Sequence, residues 1–476
     1  MTDLAPYHAL IASKRASFEP RGFYDVDEGS LPSWLFDHQR HGVGFALRTG
    51  CSALFYDTGL GKTGMALAWG DEIVRRTNKP VLMLAPLAVA SQHIAEAERF
   101  GIDARMSRFG AAPDTPRIAV TNYDRLEKFD PLDYAGVILD ESSVLKSFSG
   151  ATTRKLIEAF AKTPYRLCCS ATPAPNDHTE LGQHSEFLGA LDRSQMLVRW
   201  FLHDSADTGT WRMKGHAVTD FWNWVASWAR AVSKPSDLGF SDDGFDMPEL
   251  IIERHIIAAD RSIDAGAEKR GKHIGQGMLF RIPDTSATSI HAEKRLTSAA
   301  RAADVVRLIE AEPDEPWVIW VDTDYDADAV KALLPGICEV SGKMKIDQKE
   351  DRLAAFSRGE IKWLLTKSSI AGYGLNWQHC ARMAFCGISF SYESFYQAVR
   401  RCWRFRQTRP VHVHIVCADT EAAIWDVVSR KAGDHDHMKS EMASAMRRAS
   451  MKAVALSTYH PNQEARLPAW MTNAGS

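Results

Sequence analysis

The chain has little of several features that would assign a protein to a class at once. Its eight cysteines include no Cys-x-x-Cys pair, which argues against a zinc ribbon or a disulfide framework and suits a reducing compartment. No apolar run approaches the roughly 18 residues of a membrane span, and no basic-then-apolar segment opens the sequence. The net charge of −3 excludes an overall basic excess, so contact with a polyanion must come from local patches. We therefore expect a cytoplasmic protein that does not enter a membrane.

The remaining composition is that of an ordinary globular protein, with 45% hydrophobic and 25% charged residues. There is no low-complexity tract and no short repeat. The 476 residues exceed what one compact core usually holds, so length alone predicts about three domain-sized units.

Short apolar runs alternate with helical patterns in two parts of the chain. Such alternation is typical of βαβ units, in which helices cover a parallel sheet on both faces. The predicted fold class is therefore α/β, with two parallel-sheet lobes in tandem and a helical or irregular insert between them. The predicted parts are an N-terminal extension at 1–30, a first lobe at 31–190, an insert and linker at 191–292, a second lobe at 293–432 and a C-terminal tail at 433–476.

One loop near the start of the first lobe has the composition of a phosphate-binding loop. A buried strand is predicted before it, Gly59 and Gly61 allow a tight turn, and Lys62-Thr63 opens the next helix. In such a loop the backbone N–H groups and the lysine hold phosphates, and the threonine hydroxyl holds Mg²⁺. The full pattern has a glycine where this chain has Tyr56, so a coincidental strand–turn–helix remains the alternative.

A second apolar run, 134–139, ends in the adjacent carboxylates Asp140 and Glu141. Its composition predicts a strand that is buried on both faces. Asp140 is the predicted ligand of Mg²⁺, and Glu141 is predicted to polarise the attacking water. The alternative is a surface turn with two solvated acids. Together with the loop upstream, the pair predicts hydrolysis of a nucleoside triphosphate.

Two further patterns are predicted to be structural. His412 and His414 lie in a β-like run and are interpreted as strand residues rather than as a metal site. Trp222, Trp224 and Trp228 recur at helical spacing, which favours core packing over the stacking of bases.

Other blocks follow in a fixed order along 31–420, and they end in the basic stretch Gln397-Ala-Val-Arg-Arg-Cys-Trp-Arg-Phe-Arg-Gln407. In this order the blocks resemble the superfamily-two helicases and translocases, closest to the Swi/Snf-type branch in its small phage or bacterial form. The resemblance implies two RecA-like lobes, ATP and Mg²⁺ as cofactors, and a location in a bacterial or phage-infected cell. It also implies roles for further residues of the first lobe: adenine recognition for Gln39, nucleic-acid contact for Pro86, Thr121 and Asn122, and coupling of the two lobes for Ser170 and Thr172.

In the second lobe, the block 366–376 resembles a motif whose glycines allow the backbone to approach DNA and ATP closely. It implies a nucleotide contact for Gly374 and nucleic-acid contacts for Gly372 and Asn376. In the last block, Gln397, Arg401 and Arg404 lie at i, i+4 and i+7, which predicts one helical face. The resemblance implies that Arg401 and Arg404 are arginine fingers and that Gln397 couples hydrolysis to movement. The chain departs from many relatives at Ser143, where they have histidine or aspartate.

The predicted function is an ATP-dependent DNA translocase or helicase. Between residues 343 and 410 there are 13 Lys/Arg against 5 Asp/Glu, a local charge of +8 that suits contact with a phosphate backbone. Duplex DNA is the expected partner, RNA is left open, and a nuclease or a replication protein is a candidate protein partner. The alternatives are a motor subunit of a restriction-type nuclease complex and a nucleotide-binding adaptor that does not hydrolyse its ligand.

Overall fold

The computed structural model describes residues 18–86, 89–110, 115–146, 150–203, 211–259, 287–371 and 376–451. Their contacts divide the chain into two compact units: one is formed by the described parts of Met1–Asp243 and His435–Ser476, the other by those of Gly244–Asp434. Within these described ranges, no helix combines the length and the apolar character needed to cross a bilayer. All eight cysteines are free thiols.

The first unit consists mainly of strands and helices in alternation. Its strands are β1 (Cys51–Tyr56), β2 (Val81–Ala85), β3 (Ala104–Met106), β4 (Ile118–Asn122), β5 (Gly136–Asp140), β6 (Tyr165–Cys169), β7 (Phe201–His203), β8 (Trp211–Met213) and β9 (Ala229–Val232). Its helices are α1 (Asp37–Thr49), α2 (Lys62–Thr77), α3 (Ala90–Arg99), α4 (Ala151–Phe160), α5 (Leu181–Leu188), α6 (Arg193–Trp200) and α7 (Val218–Trp228). Strands β7 and β8 form a separate antiparallel pair.

The main sheet of this unit has seven strands in the order β3-β4-β2-β5-β6-β1-β9. Every neighbouring pair is parallel, which confirms the predicted parallel sheet. Strands β1, β2, β4 and β5 are buried along their whole length. This burial explains why they read as continuous apolar runs rather than as alternating patterns.

The last strand of this sheet comes from the stretch where a helical or irregular insert is predicted. Strand β9 pairs with β1, so that Tyr56 lies beside Val232. The predicted tryptophan-rich helix precedes it as α7, and Trp222, Trp224 and Trp228 are each at most 1% exposed within the core of the unit. The prediction that these indoles pack in a core is confirmed.

The second unit contains the other strands and helices. Its strands are β10 (Leu250–Ile257), β11 (Trp317–Val321), β12 (Cys338–Val340), β13 (Trp363–Thr366), β14 (Arg382–Cys386) and β15 (Val411–Ala418). Its helices are α8 (Ala287–Ala311), α9 (Asp324–Leu333), α10 (Ile346–Ser357), α11 (Ser368–Ala371), α12 (Tyr392–Val399) and the first part of α13 (Ala422–Met451). From His435 onward, α13 belongs to the first unit, where Met438, Met442 and Ala445 join the core.

The six strands of the second unit form one sheet in the order β10-β15-β14-β11-β13-β12. All its neighbouring pairs are parallel as well, so the predicted α/β class with two parallel sheets is confirmed. Strand β10 lies at one edge of this sheet and pairs with β15 along its full length, from Leu250 beside Val411 to Ile257 beside Ala418.

Candidate active site

The candidate site of the first unit lies where its parallel strands end. The loop containing Lys62 follows β1, Pro86 follows β2, and Thr121 and Asn122 end β4. Asp140 is the last residue of β5, and Ser170 comes directly after β6. Because all these strands run in the same direction, their carboxyl ends share one edge, which is where open α/β sheets bind ligands.

The loop between β1 and α2 needs its two glycines. Gly59 has φ +94° and Gly61 has φ +81°, a region that residues with a side chain rarely adopt. A Cβ atom on Gly61 would also lie 2.3 Å from Nε2 of Gln39. Helix α2 begins directly afterwards at Lys62, so its first N–H groups and the positive end of its dipole lie at this loop.

Tyr56, which stands where the usual loop pattern has glycine, does not disturb this arrangement. It is the last residue of β1, its side chain is fully buried, and its hydroxyl donates a hydrogen bond to the carbonyl oxygen of His38 at 3.1 Å. The phenol also lies against Gly42 of α1, where an added Cβ would be 2.5 Å from its oxygen. The side chain is therefore accommodated by a glycine on the neighbouring helix.

The Lys62 ammonium group donates hydrogen bonds to the carbonyl oxygens of Tyr56 at 2.8 Å and Asp57 at 3.3 Å. Burial lowers the pKa of Lys62 below its usual value, while the nearby carboxylates of Glu141, Asp57 and Asp140 oppose that shift. Lys62 thus lies within electrostatic reach of both acids of the second motif. The sheet brings these groups together because only β6 separates β1 from β5.

Glu141 has a strained backbone. Its φ of +53° is in the left-handed region, which is uncommon for a residue other than glycine. Such strain costs about 1–3 kcal/mol and concentrates at functional sites. Here it occurs at the predicted water-polarising residue, directly after Asp140, which is only 7% exposed.

Two residues that the sequence analysis did not identify hold Asp140. His93 of α3 is 2% exposed, and its Nε2 lies 2.8 Å from Oδ2 of Asp140. The Tyr123 hydroxyl donates to the backbone oxygen of Asp140 at 2.7 Å. Although burial alone would lower it, the pKa of His93 is raised because the carboxylate of Asp140 stabilises the imidazolium form. Nothing in the sequence around His93 indicates this contact, because 47 residues separate His93 from Asp140.

Replacing His93 with phenylalanine is expected to lower the apparent affinity for Mg²⁺ in nucleotide hydrolysis about tenfold, since a partner that orients a metal-binding carboxylate typically contributes that much. The change keeps a ring of similar size but removes the hydrogen bond to Asp140. Titration of the hydrolysis rate with Mg²⁺ measures the effect. His93→Gln, whose amide can still donate to the carboxylate, is expected to recover much of the affinity. Equal Mg²⁺ requirements for His93→Phe and the unsubstituted protein would contradict this role.

The residues present fit a nucleoside triphosphate with Mg²⁺. The glycine turn, the helix start and Lys62 provide donors for phosphate oxygens, and Thr63 and Asp140 provide the oxygen ligands that Mg²⁺ prefers. Gln39 is buried and tied to the same loop: its Nε2 donates to the Leu60 carbonyl oxygen at 2.9 Å, and its Oε1 accepts from the Phe36 backbone at 3.0 Å. A role in adenine recognition stays a prediction.

The last helix also reaches this loop within the first unit. Nζ of Lys439 lies 3.1 Å from Oδ2 of Asp57, and both side chains are mostly buried. The other oxygen of that carboxylate accepts from the backbone N–H of Thr58 at 2.6 Å. The sequence gives no sign of this contact, because its partners are 382 residues apart.

The remaining predicted residues of the first lobe are mostly buried. Thr121, Asn122, Ser170 and Thr172 are each at most 6% exposed, and Pro86 is half-buried. The Ser170 hydroxyl accepts from the backbone N–H of Thr172 at 3.1 Å, which fixes the turn after β6. Their roles in nucleic-acid contact and coupling stay predictions.

In the second unit, the predicted helical face of the last block is wrong. Helix α12 ends at Val399, so Arg401 and Arg404 lie in the turns that follow it. The carbonyl oxygen of Arg401 accepts from the backbone N–H of Trp377 at 3.0 Å instead of continuing a helix. The Arg400 guanidinium is buried over the Trp403 ring, 4.9 Å from its centroid, which fixes the turn.

The members of this block differ in their exposure. Gln397 and Arg401 are buried, and Nε of Arg401 donates to the Gln397 carbonyl oxygen at 3.0 Å, while Arg404 is half-buried. Asn376 is exposed. Gly372 and Gly374 lie outside the described residues.

Four acids outside the 343–410 window offset half of the local charge of +8. Five of its basic residues pair with them, in the ion pairs Lys343–Asp324, Lys367–Asp324, Lys362–Asp314, Arg382–Glu312 and Arg409–Glu315. A further basic residue, Arg358, pairs with Glu360 inside the window. A count along the sequence therefore overstates the positive charge that this unit presents.

Comparison with known proteins gives one family match. Residues 300–406 are similar to the family described as the helicase conserved C-terminal domain, which confirms the predicted resemblance to the superfamily-two helicases in the second unit. No curated protein sequence matches the chain. Among solved structures, the Sulfolobus solfataricus SWI2/SNF2 ATPase core in complex with dsDNA has a TM-score of 0.41 and 15% identity, covering 91% of this chain and 100% of that one.

Proposed function

We propose that this chain is an ATP-dependent DNA translocase or helicase that hydrolyses ATP with Mg²⁺ as cofactor. The observation that carries the proposal is the grouping of Lys62, Asp140 and Glu141 at one edge of the first sheet, where burial lowers the pKa of the lysine and both carboxylates are close enough to oppose that shift. The match of residues 300–406 to a helicase domain supports the choice of a nucleic-acid-dependent motor among ATPases.

The chemistry that we propose assigns one task to each group. Lys62 exchanges its hydrogen bonds with backbone carbonyl oxygens for bonds to phosphate oxygens, where its charge stabilises the transition state. Glu141 orients the attacking water and accepts its proton. Thr63 and Asp140 would hold Mg²⁺, which when bound neutralises charge on the phosphates. Because His93 holds the Asp140 carboxylate in place, that carboxylate would need little rearrangement to bind Mg²⁺.

We further propose that Arg401 and Arg404 of the second unit complete the site during turnover. Guanidinium groups that reach the transferring phosphoryl group supply charge where it develops. If the two arginines reach the phosphoryl group only in one arrangement of the units, hydrolysis and movement are coupled. Loss of the γ-phosphate then removes the contact with the arginines that stabilises that arrangement. Nucleic-acid contacts through Pro86, Thr121, Asn122, Gly372 and Asn376 would then convert the cycle into translocation.

The test is ATP hydrolysis by the full-length protein with and without duplex DNA. We expect slow turnover alone and faster turnover with DNA, with a stimulation that declines as salt rises because phosphate contacts release counterions. Single-stranded DNA and RNA of equal length serve as comparison ligands. ATP binding without hydrolysis under all conditions would contradict the proposal and favour an adaptor.

Replacing Glu141 with glutamine is expected to lower DNA-stimulated hydrolysis at least about 100-fold, because general bases contribute roughly 10²–10⁴-fold. Binding of ATP should persist, since glutamine keeps the size of the side chain. The measurement pairs a hydrolysis assay with titration of a fluorescent ATP analogue. Hydrolysis by the variant at the unsubstituted rate would show that Glu141 is not the base.

A further inference from the structure

A group of histidines and acids lies in the second unit, on one face of its sheet. His412 and His414 are two positions apart on β15 and therefore project from the same face. Glu253 lies beside His414 in the parallel register of β10 and β15. Nδ1 of His414 lies 3.1 Å from Oε2 of Glu253. The β-like run around the two histidines predicts strand residues rather than a metal site, and nothing in the sequence indicates that Glu253 lies beside them.

The spacing of these atoms suits a metal ion. One ligand atom from each of Glu253, His412 and His414 lies within 4.8 Å of the others. In a tetrahedral zinc site with bonds of about 2.0–2.2 Å, the ligand atoms are roughly 3.4 Å apart. Small side-chain rotations therefore suffice to bring the three atoms to the required distance, and the backbone register of the two strands does not have to change.

The ligand types also suit a metal. His414 is buried beside the carboxylate of Glu253, and imidazole nitrogens are common ligands of divalent transition metals. His255 lies next to it, with Nε2 3.0 Å from Nδ1 of His414. Nδ1 of His414 also faces Glu253, so a metal ion bound at this nitrogen would replace the contact with His255.

The nearby charges do not oppose a cation. Arg382 lies beside His412 in the register of β14 and β15, and Nε of Arg382 is paired with Oε2 of Glu312 at 2.8 Å. Asp304 of α8 lies 3.8 Å from Nδ1 of His255. Asp304 in turn pairs with Arg307 at 2.7 Å. With Glu253 there are three acids against two arginines, so the surroundings of the imidazoles carry net negative charge.

We propose that Glu253, His412 and His414 bind a divalent transition-metal ion, Zn²⁺ in the first place, with water as a fourth ligand. Two imidazoles and one carboxylate select such ions over Mg²⁺ and Ca²⁺, which prefer oxygen ligands. Glu253 is exposed and His412 is half-buried, which leaves a path for the ion and a position for water. Bound in this place, the ion joins the edge strand β10 to β15.

The test uses full-length protein freed of metal with a chelator and then titrated with Zn²⁺ against a chromophoric competitor. We expect one Zn²⁺ per chain, bound at least about tenfold more weakly by Glu253→Gln and by His412→Gln. His216→Gln is the matched control, because His216 is an exposed histidine of the first unit, and we expect it to bind as the unsubstituted protein does. Zn²⁺ should also raise the melting temperature of the unsubstituted protein and of His216→Gln but not of the two site variants.

Substitution by Co²⁺ provides a second readout, since a tetrahedral site with nitrogen ligands gives visible absorption bands that the two site variants should lack. Equal melting temperatures of all proteins in chelator would show that the substitutions leave the fold intact. If Glu253→Gln binds Zn²⁺ as tightly as the unsubstituted protein, the ion is held elsewhere, for instance by cysteines, and the assignment fails. Absence of stoichiometric binding to the unsubstituted protein would also overturn it and leave the cluster a hydrogen-bond network.

Discussion

Lys62→Ala is expected to reduce ATP hydrolysis at least about 100-fold, with or without DNA, and to weaken ATP binding. Removing one preorganised donor to developing negative charge typically costs 10²–10³-fold in rate, about 2.7–4 kcal/mol. The side chain of Lys62 is half-buried, and its ammonium group bonds to backbone carbonyl oxygens with three carboxylates nearby. A phosphate would therefore meet a cation that is partly desolvated already, which strengthens the interaction.

Steady-state hydrolysis and titration of a fluorescent ATP analogue measure the two effects. Lys79→Ala is the matched control, because Lys79 is an exposed lysine just beyond the helix that Lys62 begins. Circular dichroism of both variants establishes that they fold. A Lys62→Ala protein that hydrolyses ATP as fast as Lys79→Ala would contradict the phosphate-binding role of the loop.

Arg404→Ala is expected to lower DNA-stimulated turnover about 10³-fold while ATP binding persists. Arginine fingers contribute 10³–10⁵-fold to phosphoryl transfer because they stabilise charge in the transition state. Their contribution to binding the ground state is smaller, so the effect should appear in the maximal rate rather than in the affinity. This pattern separates Arg404 from Lys62, whose loss should impair both.

Arg358→Ala provides the control, since Arg358 is an exposed arginine of the same unit that pairs with Glu360 on the surface. Single-turnover hydrolysis with saturating DNA isolates the chemical step. Unchanged DNA-stimulated turnover in Arg404→Ala would remove the proposed contribution of the second unit to the site, while the assignment of Lys62 and Glu141 would stand.

The sequence predicts the sheets well where strands are buried on both faces. Runs such as 81–85 and 317–321 have no polar residue to interrupt them, so composition and length identify them. Strands β3, β9 and β12 have only three or four residues, too few to show a pattern. Strand β10 is longer, but as an edge strand it carries Glu253, Arg254 and His255, which hide its apolar character.

The candidate site is predictable where residues adjacent in sequence act together. The glycine turn with Lys62 and the pair Asp140-Glu141 are such cases. Partners that only the fold brings together could not be predicted: His93 with Asp140, or Lys439 with Asp57. The end of α12 could not be predicted for the same reason, because distant residues hold the turn that follows it. Nε1 of Trp403 donates to the Pro248 carbonyl oxygen at 2.7 Å, and the Trp377 backbone N–H donates to the Arg401 carbonyl oxygen at 3.0 Å.

The left-handed backbone of Glu141 means that stability and activity favour different residues at this position. Glycine would adopt φ +53° without steric strain, which costs the present backbone about 1–3 kcal/mol and exceeds the entropic cost of glycine of roughly 0.5–1 kcal/mol over most of that range. Selection for heat resistance alone would therefore favour losing the carboxylate that we propose as the general base. Thermostable variants of this protein should accordingly be screened for the proposed ATP hydrolysis, since a gain in stability can come with a loss of activity.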